Sequence, residues 1–132
     1  MKHLAMAVVV KEDKVLIQKY YRADRGTTFE FPGGKVHLDE TGTDAAVREL
    51  AEKTGVVGLE HIATYTKVNE LGGRIYFVIL RPGRDSDSKP VDLSLSSDLN
   101  WLSPDEIPQS ELFSADREFI NQYLSQYTLI PA

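Results

Sequence analysis

The sequence contains no cysteine. Thiol nucleophiles, cysteine-ligated zinc and iron–sulfur clusters are therefore excluded. Long apolar runs are also missing. The one candidate for a targeting segment, residues 1–10, stops at Lys11-Glu12-Asp13 with no small-residue cleavage site, and reads as a first strand. No stretch approaches the roughly 20 apolar residues of a membrane-spanning helix. A cytoplasmic location without a membrane partner is the expectation. Positive charge is in deficit, with 15 Lys and Arg against 20 Asp and Glu, a net −5. Broad binding to a nucleic-acid backbone needs a basic face, so nucleic acid is not an expected partner. Small anionic ligands stay open, because a metal can bridge acidic residues to phosphate. There is no internal repeat and no low-complexity tract.

What is present fits one domain over residues 1–132, long enough to bury a core without disulfides. Residues 4–10 and 15–21 are apolar and rich in β-branched side chains, a hairpin pattern. Residues 22–28 read as a loop, and Pro32-Gly33-Gly34 as a strand breaker. A helix follows, with Thr41 as N-cap, Asp44 three residues on, and Gly55 as the left-handed stop. Its expected apolar stripe is Ala46, Val47, Leu50 and the Thr54 methyl.

Residues 56–67 look strand-rich, 69–73 form a turn, and 74–81 (RIYFVILR) read as a central strand. Residues 82–97 are Pro, Gly, Ser and Asp-rich, a functional or mobile loop. Residues 99–102 return to the sheet, and Ser114 is the expected cap of a helix with Phe119, Ile120, Tyr123, Leu124 and Tyr127 on its apolar face. The order predicts a mixed sheet with helices on its faces.

The chemistry concentrates in residues 33–56, GGKVHLDETGTDAAVRELAEKTGV. Positions three and four apart share a helix face, so Glu49 and Glu52 point the same way. Two carboxylates so placed repel unless a cation lies between them, and oxygen-only ligands suit Mg²⁺ or Mn²⁺. Alone, such a pair reads as a solvated helix face. Glycines at 33 and 34 would let the backbone approach a phosphate or expose a carbonyl to a metal. Alone, they read as an ordinary turn.

Together the spacing is specific. Gly34, five residues, Glu40, seven residues, Arg48-Glu49-Leu50, one residue, Glu52, then Gly55-Val56 resembles the Nudix hydrolase family. Glu30-Phe31-Pro32-Gly33-Gly34-Lys35 and Leu99-Asn100-Trp101-Leu102, followed by Glu106-Ile107-Pro108, resemble its MutT-like branch. The resemblance implies an α/β (strictly α+β) fold, a Nudix-type α/β/α sandwich around a mixed sheet. It implies a Mg²⁺- or Mn²⁺-dependent pyrophosphohydrolase that cleaves a diphosphate linkage in a nucleoside triphosphate or another nucleoside-diphosphate derivative. A homodimer is also compatible with it.

Roles carry over by position. Glu49 matches a metal ligand or the base for water, and Glu52 a metal ligand. Gly33 matches a glycine whose carbonyl completes the metal shell. Arg48 matches the arginine that orients the glutamates, with Glu40 as its partner. Gly34, Glu40 and Gly55 are structural positions of the motif. Lys35 and Lys19 are candidate phosphate contacts, against plain exposed or edge-strand lysines. Asp116 matches a base-contacting position, against a helix N-terminal charge that complements the dipole. Phe29, Tyr76 and Phe77 are candidates for the base pocket, with Tyr76 and Phe77 alternating so that one must be core. His3, His37 and His61 carry no assigned role.

The departure from the family pattern is Lys53, where a second glutamate is usual. A protonated lysine cannot bind Mg²⁺, and unit charges 4 Å apart repel by about 4 kcal/mol at surface-like dielectric. Leu95 stands near another usual acidic position, with Asp92 or Asp98 as substitutes, and Asp39 replaces a frequent glycine. Two readings follow: an active hydrolase on a reduced metal site, or a catalytically weakened nucleotide-binding or sensor module in which Lys53 pairs with phosphate. A pure protein-interaction domain would leave the motif glutamates without purpose.

Overall fold

A computed structural model describes residues 3–24, 26–68, 72–82 and 99–128. Among the described residues four strands precede a first helix, and three more strands precede a C-terminal helix. Strands β1 (Leu4–Lys11) and β2 (Lys14–Arg22) form the expected hairpin, but they pair only at Val10 with Val15 and Lys11 with Lys14. Beyond that point the sheet splays. On one side β1 runs parallel to β6 (Arg74–Arg81), and β6 antiparallel to β5 (Glu60–Val68). On the other, β2 lies between β3 (Gly26–Glu30) and β7 (Leu99–Leu102), antiparallel to both.

Two loop expectations give way to strands. The 22–28 loop shortens because β3 begins at Gly26, in register with Arg22. Gly33 and Gly34 do not merely break a strand. They form β4 (Gly33–Lys35), whose backbone pairs with Leu4, Ala5 and Met6. A Cβ on Gly33 would stand 2.2 Å from the Ala5 carbonyl oxygen, so glycine is what allows the strands to meet. The expected turn at 69–73 lies partly, and the loop from residue 83 on with Asp92, Leu95 and Asp98 wholly, outside the described residues.

The two central strands are buried on both faces. Ala5, Ala7 and Val9 of β1, with Val78 and Leu80 of β6, face helix α1 (Gly42–Thr54). Val8 and Val10, with Ile75, Phe77 and Ile79, face the C-terminal helix. That is the period of two expected of a strand read from both sides. Thr41 caps α1, its hydroxyl accepting the Asp44 N–H at 3.0 Å, and Gly55 ends it at φ 79°. The buried residues of α1 are Ala45, Ala46 and Leu50. Val47 is 42% exposed and leaves the predicted stripe, because the helix rolls Ala45 rather than Val47 toward the sheet.

The C-terminal helix has three segments: α2 (Ser114–Phe119), a π-helical turn (Ile120–Leu124) and α3 (Ser125–Thr128). Phe113, one residue before the expected Ser114, holds the cap position with extended backbone. Its apolar side is as predicted. Phe119 stacks on Phe77 with ring centroids 4.5 Å apart and meets Phe31 edge-on. Tyr65 stacks on Tyr123, and its hydroxyl bonds that of Tyr127.

Candidate active site

Helix α1 and strand β4 bring the motif residues to one place. The Arg48 guanidinium is the hub. Its Nε and Nη2 donate to Glu40 Oε2 and Oε1 at 3.1 and 2.7 Å, and Nη2 also donates to the Lys35 carbonyl at 2.9 Å. Its Nη1 donates to Glu49 Oε1 at 3.0 Å and Glu52 Oε2 at 3.2 Å. The fork therefore clamps the loop before the helix and fixes the orientation of both helix carboxylates. Arg48, followed by the His37 N–H at 2.8 Å, holds the Glu40 carboxyl down at a pKa of about 2, while Glu40 first and Glu49 next raise that of Arg48.

Glu49 is seated over Gly34. A Cβ there would lie 2.5 Å from the carboxylate carbon, so only glycine permits this approach. The side chain of Glu49 is largely shielded, whereas Glu52 is 59% exposed. Lys53 reaches into the same site. Its ammonium donates to the Gly33 carbonyl oxygen and, at 3.3 Å, to the Tyr20 hydroxyl, and it stands 3.8 Å from Glu49 Oε2. Tyr20 in turn donates to Gln18 Oε1 at 2.8 Å. Among the described residues no group of three or more His, Asp or Glu side chains is placed to hold a metal ion.

The other predicted residues are dispersed. Lys35 is exposed and lines a cavity of about 570 Å³ with His3, His37, Glu40 and Tyr76. Lys19 is exposed on β2, opposite Phe29. Strand alternation sends it to the face away from Tyr20. At Lys19 the strand is paired with β3, while its pairing with β7 runs from Val15 to Gln18 and stops one residue short. Of the aromatic candidates, Phe77 is core, while Tyr76 packs against Gly42, where a Cβ would stand 2.4 Å from its ring. His3 Nδ1 accepts the Arg74 N–H at 3.0 Å, and His61 bonds Thr64 at 2.8 Å, both structural contacts.

Asp116 sits in the first turn of α2, but only 3% exposed. Burial first, and the charge of Glu30 second, push its carboxyl up from 3.8 to about 7. Asp116 does stand in the helix's first turn, as the dipole reading requires, but burial outweighs any lowering the helix N-terminus supplies. Its neighbourhood was not predicted. Glu30, also buried, takes a two-point bond from Arg22 at 2.9 and 2.8 Å and a third from the Thr28 hydroxyl at 2.6 Å. The pairing of Arg22 with Gly26 sets this up, and strand register of that kind leaves no mark in the spacing.

The NUDIX domain family matches residues 1–123, and this chain belongs to it. It is a hydrolase of the class that acts on nucleoside diphosphate linkages. It is 31% identical over 130 residues to the CTP pyrophosphohydrolase of Escherichia coli, covering 96% of this chain and 93% of that one. A MutT-like protein of Streptomyces ambofaciens is 36% identical over 103 residues, 77% of this chain and 64% of that protein. The solution structure of the E. coli ORF135 protein superposes with a TM-score of 0.68 at 26% identity, over all of this chain and 94% of that one. The mixed sheet with helices on its faces is thus the Nudix fold expected from the motif.

Proposed function

We propose that this chain, as a single domain over residues 1–132, is a cytoplasmic pyrophosphohydrolase of small nucleotides. Its substrate would be a nucleoside triphosphate or another nucleoside-diphosphate derivative. The observation that carries the proposal is the Arg48 fork, which orients Glu49 and Glu52, while Glu49 and the Gly33 carbonyl face a common cation, Lys53. The similarity to a CTP pyrophosphohydrolase supports a nucleoside triphosphate.

Nudix hydrolases generally use divalent metals. The donor chemistry here fits such an ion: hard oxygens of Gly33 and Glu49 already converge on a cation, the Lys53 ammonium. Glu49, Glu52 and the Gly33 carbonyl would hold Mg²⁺ or Mn²⁺, which when bound supplies a Lewis acid and lowers the pKa of water. Arg48 keeps the two glutamates aimed. Glu49, beyond binding metal, accepts the proton of the attacking water as the new P–O bond forms and the bridging P–O bond breaks. Lys35, beside the motif loop, meets phosphate charge, whereas Lys19 lies on the face of β2 turned away from Tyr20 and is not placed to join it. Asp116 contacts the base, and with its carboxyl near 7 it presents both donor and acceptor forms around neutrality.

A panel of diphosphate-containing compounds with Mg²⁺ and Mn²⁺, read for phosphate and pyrophosphate, tests this. The expected result is turnover that falls about 10²- to 10³-fold in Glu49→Gln. Turnover unchanged by that substitution would remove Glu49 from the chemistry. Nucleotide binding without turnover of any compound would favour the binding-module reading that Lys53 suggests. An unaltered base preference in Asp116→Ala would reject its contact with the base.

A further inference from the structure

Lys53 does more than fail to be a glutamate. It lies in the last turn of α1, where a lysine can simply face the unpaired helix carbonyls. Instead it crosses to β4 and β2. Its ammonium is held by the Gly33 carbonyl oxygen, the Tyr20 hydroxyl and the charge of Glu49 Oε2. The Tyr20 ring adds a face 5.7 Å away. Tyr20 is oriented for this, since its own O–H is committed to Gln18 and leaves the oxygen free to accept. Two of these oxygen sources, Gly33 and Glu49, are those assigned above to a metal.

We propose that Lys53 is a tethered competitor of the metal: its ammonium and a divalent ion occupy the same oxygens in turn, and the metal enters only as Lys53 withdraws. This rests on the metal-dependent reading of the site. The consequences run in one direction. With Lys53 seated, the Glu49 charge is already balanced and the Gly33 carbonyl already bonded, and an incoming divalent ion must displace a positive charge rather than fill an empty shell. Lys53 is thereby a positioning residue that sets how much free metal the enzyme needs.

Binding of Mn²⁺ to the metal-free protein, followed by the electron paramagnetic resonance of free Mn²⁺, tests the proposal apart from activity. Lys53→Met and Lys53→Gln remove the charge, and each is expected to bind Mn²⁺ about tenfold or more tightly than wild type, allowing for solvent screening at a half-buried lysine. Equal or weaker affinity in both overturns it. Should the variants fail to fold, the wild type alone tests the proposal. Reductive methylation of Lys53, read by peptide mass, should accelerate several-fold at saturating Mn²⁺ relative to Lys11 and Lys14. A Lys53 rate unchanged by bound Mn²⁺ overturns the proposal. The two readings fail separately. Turnover in the compound panel with no gain of affinity in the variants keeps the function and discards the competitor. Tight Mn²⁺ binding by the variants with no turnover does the reverse.

Discussion

The two faces of the central strands are built from different materials. Toward α1 the core is aliphatic, and four alanines, Ala5, Ala7, Ala45 and Ala46, lie among larger side chains such as Val9, Leu50, Val78 and Leu80. Toward the C-terminal helix they are aromatic: Phe31, Phe77 and Phe119, flanked by Tyr65, Tyr123 and Tyr127. Small residues let a helix lie close to a sheet, and closeness is what carries Glu49 to Gly34 and Lys53 to Gly33. Aromatic residues hold the second helix by area and ring geometry. On that side Asp116 is buried near Glu30, which Arg22 pairs from the surface, and Lys67 pairs with Glu118 of α2. One face sets its ion pairs around the motif arginine, the other packs its rings beside a buried carboxyl.

Three substitutions can break or sharpen this contrast. The largest effect is expected from Phe119→Ala, which opens a cavity between Phe31 and Phe77. A loss of about 3–5 kcal/mol in urea unfolding is expected, and a loss below about 1 kcal/mol would mean the aromatic layer does not anchor the helix.

Asp116→Asn comes next and depends on pH. In the folded chain the carboxyl keeps its proton to about 7, whereas in the unfolded chain it loses it near 3.8. The folded state therefore binds more protons across that window, and wild-type stability falls as pH rises through it. The asparagine variant lacks this slope. It should match wild type at low pH and exceed it by about 4 kcal/mol above pH 7. Parallel stability curves for the two proteins would contradict the buried-carboxyl description.

The smallest effect belongs to the α1 face. Thr41→Ala removes the hydroxyl that accepts the Asp44 N–H, with an expected loss of about 1 kcal/mol in thermal unfolding. A loss as large as that of Phe119→Ala would erase the distinction between the two faces.

Much of this was legible in the sequence where the signal is local. Thr41 and Gly55 bound α1 as their cap chemistry predicts, and the partnership of Arg48 with Glu40 follows from the motif. Strand β6 is central, as its unbroken apolar run implied. What escaped depends on register and reach. Strand β4 exists because Leu4, Ala5 and Met6 lie alongside two glycines, and local propensity argues against it. The Arg22–Glu30–Thr28 cluster needs the β2–β3 register before its members are neighbours. In Phe29-Glu30-Phe31 the glutamate looks like the solvent-facing member, yet it is buried. Lys53 could be recognised as a departure, but not that it would reach Gly33, twenty positions back. The roll of α1 that exposes Val47 is likewise a matter of packing rather than periodicity.

A guanidinium has five N–H groups. In Arg48 each of them is engaged, by Glu40, Glu49, Glu52 and the Lys35 carbonyl. The residue is saturated. It has no hand left to offer an incoming anion, and to free one it would have to release a carboxylate or the carbonyl it holds. Any anion reaching this site would have to find its hydrogen-bond donors elsewhere, and the hub is scaffolding.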